Sequence, residues 1–469
     1  MDEPDEELRS RLAAFRQEHV LAFWDQLAPA MRQRLSGHIR NLDLTQIDAL
    51  FRGAAAPEDW ADLARRATAP PAIRLHDSER SFSTEQAQER GQEALEAGEV
   101  GVILVAGGQG TRLGLDHPKG MFAIGPVSGA SLFQILLEKI LARSRASGMR
   151  IPLYLMTSPA TNDETVAYLR ANENFGLPRD DLKIFCQGTM PAIDAQTGRL
   201  LLAEKDQLAL SPDGHGGMLQ ALVVNHCLSD IHQRGLRQLF YCQIDNPLVG
   251  MCDPRFLGYH LLSNSELSTQ VVAKRTSRDK VGNVVAIDGK LRIIEYSDLN
   301  PLPDEIVDRR ALDGSPIFWA GNTAIHVFEV GFLERMAQSG SALPFHVAKK
   351  AVSCLDSSGE KIEPWQPNAI KFERFIFDLL PAARRAIVVE VDEARAFAPL
   401  KNASGDPRDS PESVRAQMIA LHTAWLQAAG CEVVAGTAVE IGPLFAQSAQ
   451  EVAEKVPPGL VVTRPRYFC

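Results

Sequence analysis

The feature that most constrains this chain is the passage from an unbroken apolar run into a glycine-dense turn. Val102 to Ala106 lead into Gly107-Gly108-Gln109-Gly110-Thr111-Arg112-Leu113-Gly114, closed by Pro118-Lys119-Gly120. A short all-apolar run ended by glycine suits a strand buried on both faces of a parallel sheet. Residues without Cβ let successive backbone N–H groups face an oxyanion, and they tolerate positive φ. Arg112 and Lys119 add charge, the first as a planar fork and the second as a point cation. Together these residues predict a phosphate-cradling loop at a strand's carboxyl end. Spacing excludes two familiar loops. The P-loop needs G-x-x-x-x-G-K-[ST], whereas this lysine sits between Pro118 and Gly120. The dinucleotide fingerprint needs its third glycine where the chain has Leu113, and Pro118 and Gly120 would break the helix that must follow. Nicotinamide oxidoreduction is therefore disfavoured.

From about Glu99 onward, short apolar segments alternate with helical ones. Strands are expected at Val102–Ala106, Leu153–Thr157, Lys183–Gln187 and Leu239–Ile244, with helices at Ser131–Ser147, Asn162–Ala171 and Met218–Gln233. Such repetition predicts an α/β fold with a doubly wound, Rossmann-like sheet whose ligands sit beyond the strands' carboxyl ends. After Asp253 the pattern is strand-rich (269–274, 281–287, 291–296, 322–328), with a hairpin signal at Asp288-Gly289. These strands are expected to form a mixed sheet folding over the nucleotide half. Asn368 to Leu380 is expected as a helix, followed by a strand at Ala386–Val391. The next helix has Ser410 as its cap, Pro411 at its first position and Gly430 as its terminator. Residues from Glu6 to about Gly53 read as packing helices, and Ala54–Pro71 as a connector. The expected domains are an N-terminal helical region (1–98), a central α/β domain (99–401) and a small C-terminal α+β lobe (402–469).

A formal charge of −10 over 469 residues argues against a nucleic-acid polymer as partner. An acidic chain holding an anionic nucleotide then needs local cations and Mg²⁺. Seven cysteines without a C-x-x-C pair fit reduced thiols in a cytoplasmic protein. No apolar run reaches membrane-spanning length, and the acidic, polar start carries no signal-peptide pattern. Nothing in the sequence sets an oligomeric state.

Asp245 ends the apolar run 239–244, where a carboxylate suits Mg²⁺ shared with substrate phosphates; an Asx turn ahead of Pro247 is the structural alternative. Asp213-Gly214-His215-Gly216-Gly217 precedes a helix whose first N–H groups would face a ligand. Gln187 carries both hydrogen-bond donors and acceptors. By spacing alone, Phe375 and Phe377 read as helix core. Lys401, in a loop beyond the sheet, is a flexible cation able to reach a phosphate, with a solvated surface lysine as the structural alternative.

The loop resembles the G-G-x-G-T-R-L signature, with Pro-Lys downstream, of the sugar-1-phosphate nucleotidyltransferases. Its longer form, Ala106 to Gly114 and then Pro118-Lys119-Gly120-Met121, resembles eukaryotic-type UDP-N-acetylhexosamine pyrophosphorylases. The resemblance runs from Gln17 to Lys401 in ordered blocks: Gln187–Ala192, Ser211–Gly217, Asp245-Asn246, Glu295–Ser297, Gly321-Asn322, Lys371–Asp378 and Pro399–Asn402. It implies a Mg²⁺-dependent uridylyltransferase that takes UTP and N-acetylglucosamine 1-phosphate to UDP-N-acetylglucosamine and pyrophosphate. By the same resemblance, Arg112, Lys119 and Lys401 serve catalysis. Ala106, Gly107, Gly108, Gln187, Gly214, His215 and Asp245 bind the nucleotide, Asp245 also seating the metal. Glu295, Asn322, Phe375 and Phe377 bind the sugar. One position departs from the pattern: His215 stands where the most similar members commonly have Asn and the broader UDP-sugar pyrophosphorylases have His. That leaves a broad-specificity UDP-sugar pyrophosphorylase as the enzymatic alternative, and raises the prospect of a titrating imidazole. A non-catalytic nucleotide-sugar sensor is the alternative of another class.

Overall fold

The computed structural model describes residues 5–53, 58–76, 81–339 and 343–469. They pack as two compact units. One is drawn from Met1–Asp59, Gln187–Met218 and Ala342–Ile376, the other from Trp60–Cys186, Leu219–Ser341 and Phe377–Cys469.

The larger unit is built on a ten-stranded α/β sheet: β1 (Ala72–Ile73), β2 (Val100–Val105), β3 (Leu153–Thr157), β4 (Leu182–Cys186), β5 (Gln238–Gln243), β6 (Leu267–Ala273), β7 (Asn283–Ile287), β8 (Lys290–Ile294), β9 (Ala320–Glu329) and β10 (Ala386–Glu390). Its order is β1-β10-β6-β9-β5-β2-β3-β4, with the β7–β8 hairpin joined to β9. All neighbours along that path are parallel except β9, which runs antiparallel to both β6 and β5. The strands after Asp253 thus extend the central sheet instead of forming a second one over it. The hairpin signal holds: Ile287 pairs with Lys290 across Asp288 and Gly289, both at positive φ. This is the two-residue turn whose twist matches the flanking strands.

Val102, Leu104, Leu153 and Leu155 lie in one buried cluster with Phe133, Leu136 and Ile140 of the helix Leu132–Ser147, which Ser131 caps. The C-terminal helix Pro411–Ala428 carries the expected Ser410 cap, reinforced by Ser413. Beyond it, the lobe closes on its own apolar cluster, including Val439, Ile441, Val452 and Phe468.

Two other expectations are corrected in this unit. Part of the supposed connector is a helix, Trp60–Arg66, whose Ala64 packs with Val285 and Ile287 of β7; residues 54–57 lie outside those described. The segment expected as one helix over 218–233 is two, Met218–Val224 and Cys227–Gln233, broken where His226 adopts φ 55°.

In the smaller unit, Leu8, Leu12, Trp24, Leu35 and Ile39 from the N-terminal helices and turns share one apolar cluster with Ile193, Leu200, Ile370 and Phe372. Gln17 is buried there, its amide donating to the Gly198 carbonyl (3.1 Å) while its oxygen accepts from Leu200 N–H (2.8 Å). The expected helix at 368–380 forms only in its second half, as a 3-10 helix over Ile376–Ala382. Ala369–Glu373 is a strand, paired antiparallel with His346–Lys350 and with Ile193–Asp194. Burial of Ile370 and Phe372 between the more exposed Lys371 and Glu373 shows the two-residue period responsible.

Candidate active site

In the larger unit the predicted phosphate loop and the predicted metal carboxylate leave the sheet side by side. β2 and β5 are parallel neighbours, and Ile244 N–H donates to the Val105 carbonyl at 3.0 Å where both strands end. The loop then closes on itself: Lys119 N–H reaches the Gly108 carbonyl (3.2 Å) and Gly110 N–H the His117 carbonyl (3.1 Å). Ser158 Oγ donates to the Gly107 carbonyl at 2.8 Å, and the Ala106 amide to that of Met156 at 2.8 Å. Its glycines do separate jobs. A Cβ on Gly120 would fall 2.3 Å from the Phe133 ring, Gly114 alone in this loop has positive φ (72°), and the space around Gly108 is open. Gly108 is therefore the position where a ligand can approach the backbone closely.

Lys119 Nζ lies 3.6 Å from Asp245 Oδ2, and both side chains are largely buried. Burial pulls the Lys119 ammonium below its usual range; Asp245 opposes this, while the positive charges of Lys401 and Arg112 add to it. Three of the predicted residues thus act electrostatically on a fourth, Lys119, in one corner of the sheet. Arg112 is exposed and projects from a short turn, Thr111–Leu113.

Lys401 is delivered by a second set of contacts. Leu400 N–H donates to the Asp245 carbonyl (2.8 Å), and Lys401 N–H to that of Asp409 (2.8 Å). Asp409 was not singled out from the sequence, although an acid directly ahead of the Ser410-Pro411 helix cap was a visible signal. Burial raises its carboxyl pKa; Lys401 counters that, and the charge of Asp245 reinforces it. Lys139, also missed, donates from Nζ to the carbonyls of Pro247 (2.6 Å) and Val249 (2.9 Å), bracing the turn after Asp245. No local motif announces such a lysine, because its partners are backbone atoms more than a hundred residues away.

Glu295 and Asn322 meet at Gly282. Asn322 N–H donates to the Gly282 carbonyl (2.8 Å), and a Cβ on Gly282 would sit 2.7 Å from Glu295 Oε1. Because β9 is antiparallel to β5, its first residues, Asn322 included, lie toward the end of β5 that leads into Asp245.

The predicted base-recognition residues belong to the smaller unit. The turn Asp213–Gly217 is laced to one strand end: Arg374 N–H donates to the Asp213 carbonyl (2.7 Å) and Gly216 N–H to that of Arg374 (2.8 Å). Added Cβ atoms on Gly214 or Gly216 would lie 2.4 Å and 2.6 Å from Arg374 backbone atoms, so glycine is a steric requirement at both. His215 Nδ1 accepts from Ile376 N–H (3.2 Å), and its ring stacks on Phe375, which also faces His346. Phe375 is therefore part of the turn's packing. Burial lowers the His215 pKa to about 4, with His346 adding to the effect. The ring is neutral near pH 7, which corrects the expectation of a titrating imidazole. Asp213 is pushed up to about 6 by burial, with Arg374 pulling the other way. Gln187 is buried. Phe377, in the larger unit, is buried as well.

With this geometry in view, similarity to known proteins is decisive. Residues 61–430 match the family described as UTP–glucose-1-phosphate uridylyltransferase. The chain belongs to this family. It is 37% identical over 371 residues to a UDP-N-acetylglucosamine pyrophosphorylase of Saccharomyces cerevisiae, covering 78% of this chain and 77% of that protein. It is 35% identical over 442 residues to the human UDP-N-acetylhexosamine pyrophosphorylase-like protein 1, covering 91% and 86% respectively. A crystal structure of a putative UDP-N-acetylglucosamine pyrophosphorylase from Entamoeba histolytica superposes with a TM-score of 0.77 at 29% identity, over 86% of this chain and 100% of that one. The chain is an enzyme of the nucleotidyltransferase type, and family enzymes bind UTP, a sugar phosphate and the UDP-sugar product. A divalent metal requirement accords with the pyrophosphorylase family. All seven cysteines are free thiols, and among the described residues no helix is long and apolar enough to cross a membrane.

Proposed function

We propose that this enzyme joins UTP and N-acetylglucosamine 1-phosphate, forming UDP-N-acetylglucosamine and releasing pyrophosphate. The observation that carries the proposal is the Lys119–Asp245 pair, on which the charges of Arg112 and Lys401 also bear. A cation cluster of that kind suits two phosphate groups that must approach each other against their own repulsion. A phosphate oxygen of the sugar phosphate attacks the α-phosphorus of UTP. One P–O bond forms, the bond to the bridging oxygen breaks, and pyrophosphate leaves with the electron pair. Arg112 and the loop from Ala106 to Gly108 hold the triphosphate, while Lys119 and Lys401 offset charge on the two reacting phosphates. Gln187, Gly214 and His215 read the uracil; Glu295 and Asn322 hold the sugar, with Phe375 and Phe377 as the proposed aromatic contacts.

Mg²⁺ fits this corner. Asp245 and Asp409 offer hard oxygen donors close enough for one charge to shift the other's titration. Mg²⁺ commonly keeps several waters and is held by one or two carboxylates together with substrate phosphates. Asp245 would hold it, and the bound ion would supply charge neutralisation on the phosphates.

Incubation with UTP, Mg²⁺ and a panel of sugar 1-phosphates, following pyrophosphate, tests the proposal. N-acetylglucosamine 1-phosphate is expected to give the highest kcat/KM. Equal or better use of glucose or galactose 1-phosphate would establish the broad-specificity reading that His215 favours. Binding of the UDP-sugar without pyrophosphate exchange would establish a sensor.

A further inference from the structure

Asn246 follows the proposed metal carboxylate and is 3% exposed, its side chain bonded into a backbone network. Its Nδ2 donates to the Ala396 carbonyl at 2.8 Å, and its Oδ1 accepts from Ala398 N–H at 3.1 Å and from Leu248 N–H at 3.2 Å. Two residues further along, Leu400 N–H reaches the Asp245 carbonyl at 2.8 Å, and Lys401 comes next. One carboxamide therefore ties the turn at the end of β5 to a segment some 150 positions away. Among the described residues that segment pairs with no strand. It is also held by Gln417, whose Nε2 donates to the carbonyls of Glu393 and Phe397 at 3.1 Å each, by Lys401 N–H to the Asp409 carbonyl at 2.8 Å, and by burial of Ala398 and Leu400 in the core.

We propose that Asn246 is the positioning residue of the transfer step: its carboxamide fixes the register between the Asp245 turn and the 396–401 segment, and so sets where the Lys401 ammonium sits relative to the Asp245 carboxylate. A side chain of this shape is needed because the segment presents one carbonyl and one N–H to the same point. A carboxamide satisfies both at once from two separate atoms, whereas a carboxylate has no donor and a hydroxyl must serve both from a single oxygen. Misplacement by about 1 Å costs on the order of 100-fold in reactions between held groups, so a residue that touches neither phosphate still governs the rate.

The proposal rests on the uridylyltransferase reading for Lys401, and its test separates the two. In Asn246→Ala, hydrogen exchange of the peptide covering 396–402 is expected to accelerate at least tenfold while peptides of β2 and β5 stay protected. Turnover with UTP and N-acetylglucosamine 1-phosphate is expected to fall about 10- to 100-fold. In the Lys401→Ala background, adding Asn246→Ala should cost much less than it does alone, because the register then has less to position. Asn246→Ser, which keeps a short polar group, provides a folded variant of intermediate effect if the alanine variant is unstable. Unchanged exchange over 396–402, or losses that multiply fully with Lys401→Ala, would overturn the assignment. Exchange needs no substrate, so it decides the register claim even if the sugar panel yields no turnover and the functional reading fails.

Discussion

The charged corner of the larger unit and the turn Asp213–Gly217 of the smaller one solve opposite problems. The corner gathers side chains of both signs at strand ends and leaves the backbone at Gly108 open. The turn does the reverse: its backbone is locked to Arg374 at contacts too tight for a Cβ on Gly214 or Gly216, and its one imidazole, held by Ile376 N–H, is kept neutral. The contrast teaches that charge carries function in the first and shape in the second. Substitutions should therefore fail differently in the two places, the first in turnover and the second in folding of the turn.

Removing charge from the corner should have the largest effect. Arg112→Ala is expected to lower kcat by about 10²–10³ with folding intact, as measured by steady-state pyrophosphate release beside circular dichroism. Near-wild-type turnover would mean that the exposed arginine is not part of the machinery and that the corner's charge is structural.

Next comes the same substitution made in both places. Gly216→Ala puts a methyl 2.6 Å from the backbone at Arg374 and Phe375 and should destabilise by about 1–3 kcal/mol. Gly108→Ala meets nothing within 4 Å, so stability should move by no more than about 0.5 kcal/mol while the KM for UTP rises. Thermal denaturation of the pair checks this, and equal destabilisation would erase the distinction between an open loop and a locked turn.

His215→Asn should act more gently. Asn can still accept from Ile376 N–H, so the KM for UTP is expected to change by less than about fivefold, a shift within the 1 kcal/mol scale of a single retained hydrogen bond. A much larger change, measured beside a His215→Leu control, would show that the ring itself recognises the base.

The smallest effect is a pH dependence within the turn. His215 titrates at about 4 when folded and near 6.5 when unfolded, so between these values the unfolded chain holds more protons and stability is lost as pH falls. Asp213, moved from 3.8 to about 6, works in the other sense: the folded state holds the extra proton, and stability is lost as pH rises through that interval. The two slopes oppose each other. Denaturant titrations at pH 4 to 6.5 should show His215→Asn losing stability toward higher pH and Asp213→Asn losing it more steeply toward lower pH. Parallel curves for the two variants would mean that the turn does not set their protonation.

Much of this was readable beforehand, for physical reasons. The phosphate loop, the parallel strands from β2 to β5, the Asp288-Gly289 hairpin and the Ser410 cap are local: each depends on side-chain size, φ preference or periodicity within a few residues. What escaped depends on distance. Lys139, Asn246 and Asp409 work through backbone atoms or charges remote in sequence, and nothing near them marks the partner. Residues 368–380 were misjudged differently: closely spaced aromatics at 372, 375 and 377 suggested a helical face, while Ile370 and Phe372 already alternated with Lys371 and Glu373 as a strand does.

The insertion of β10 between β1 and β6 has a consequence for biosynthesis. A ribosome makes both flanking strands well before residues 386–390, so each waits with an unpaired side until the penultimate stretch of the polypeptide emerges. A nascent chain stalled short of Ala386 would leave one raw edge at β6 able to recruit other strands, and Ala72–Ile73 with no strand to join, so completion of β10 is the step that closes that edge.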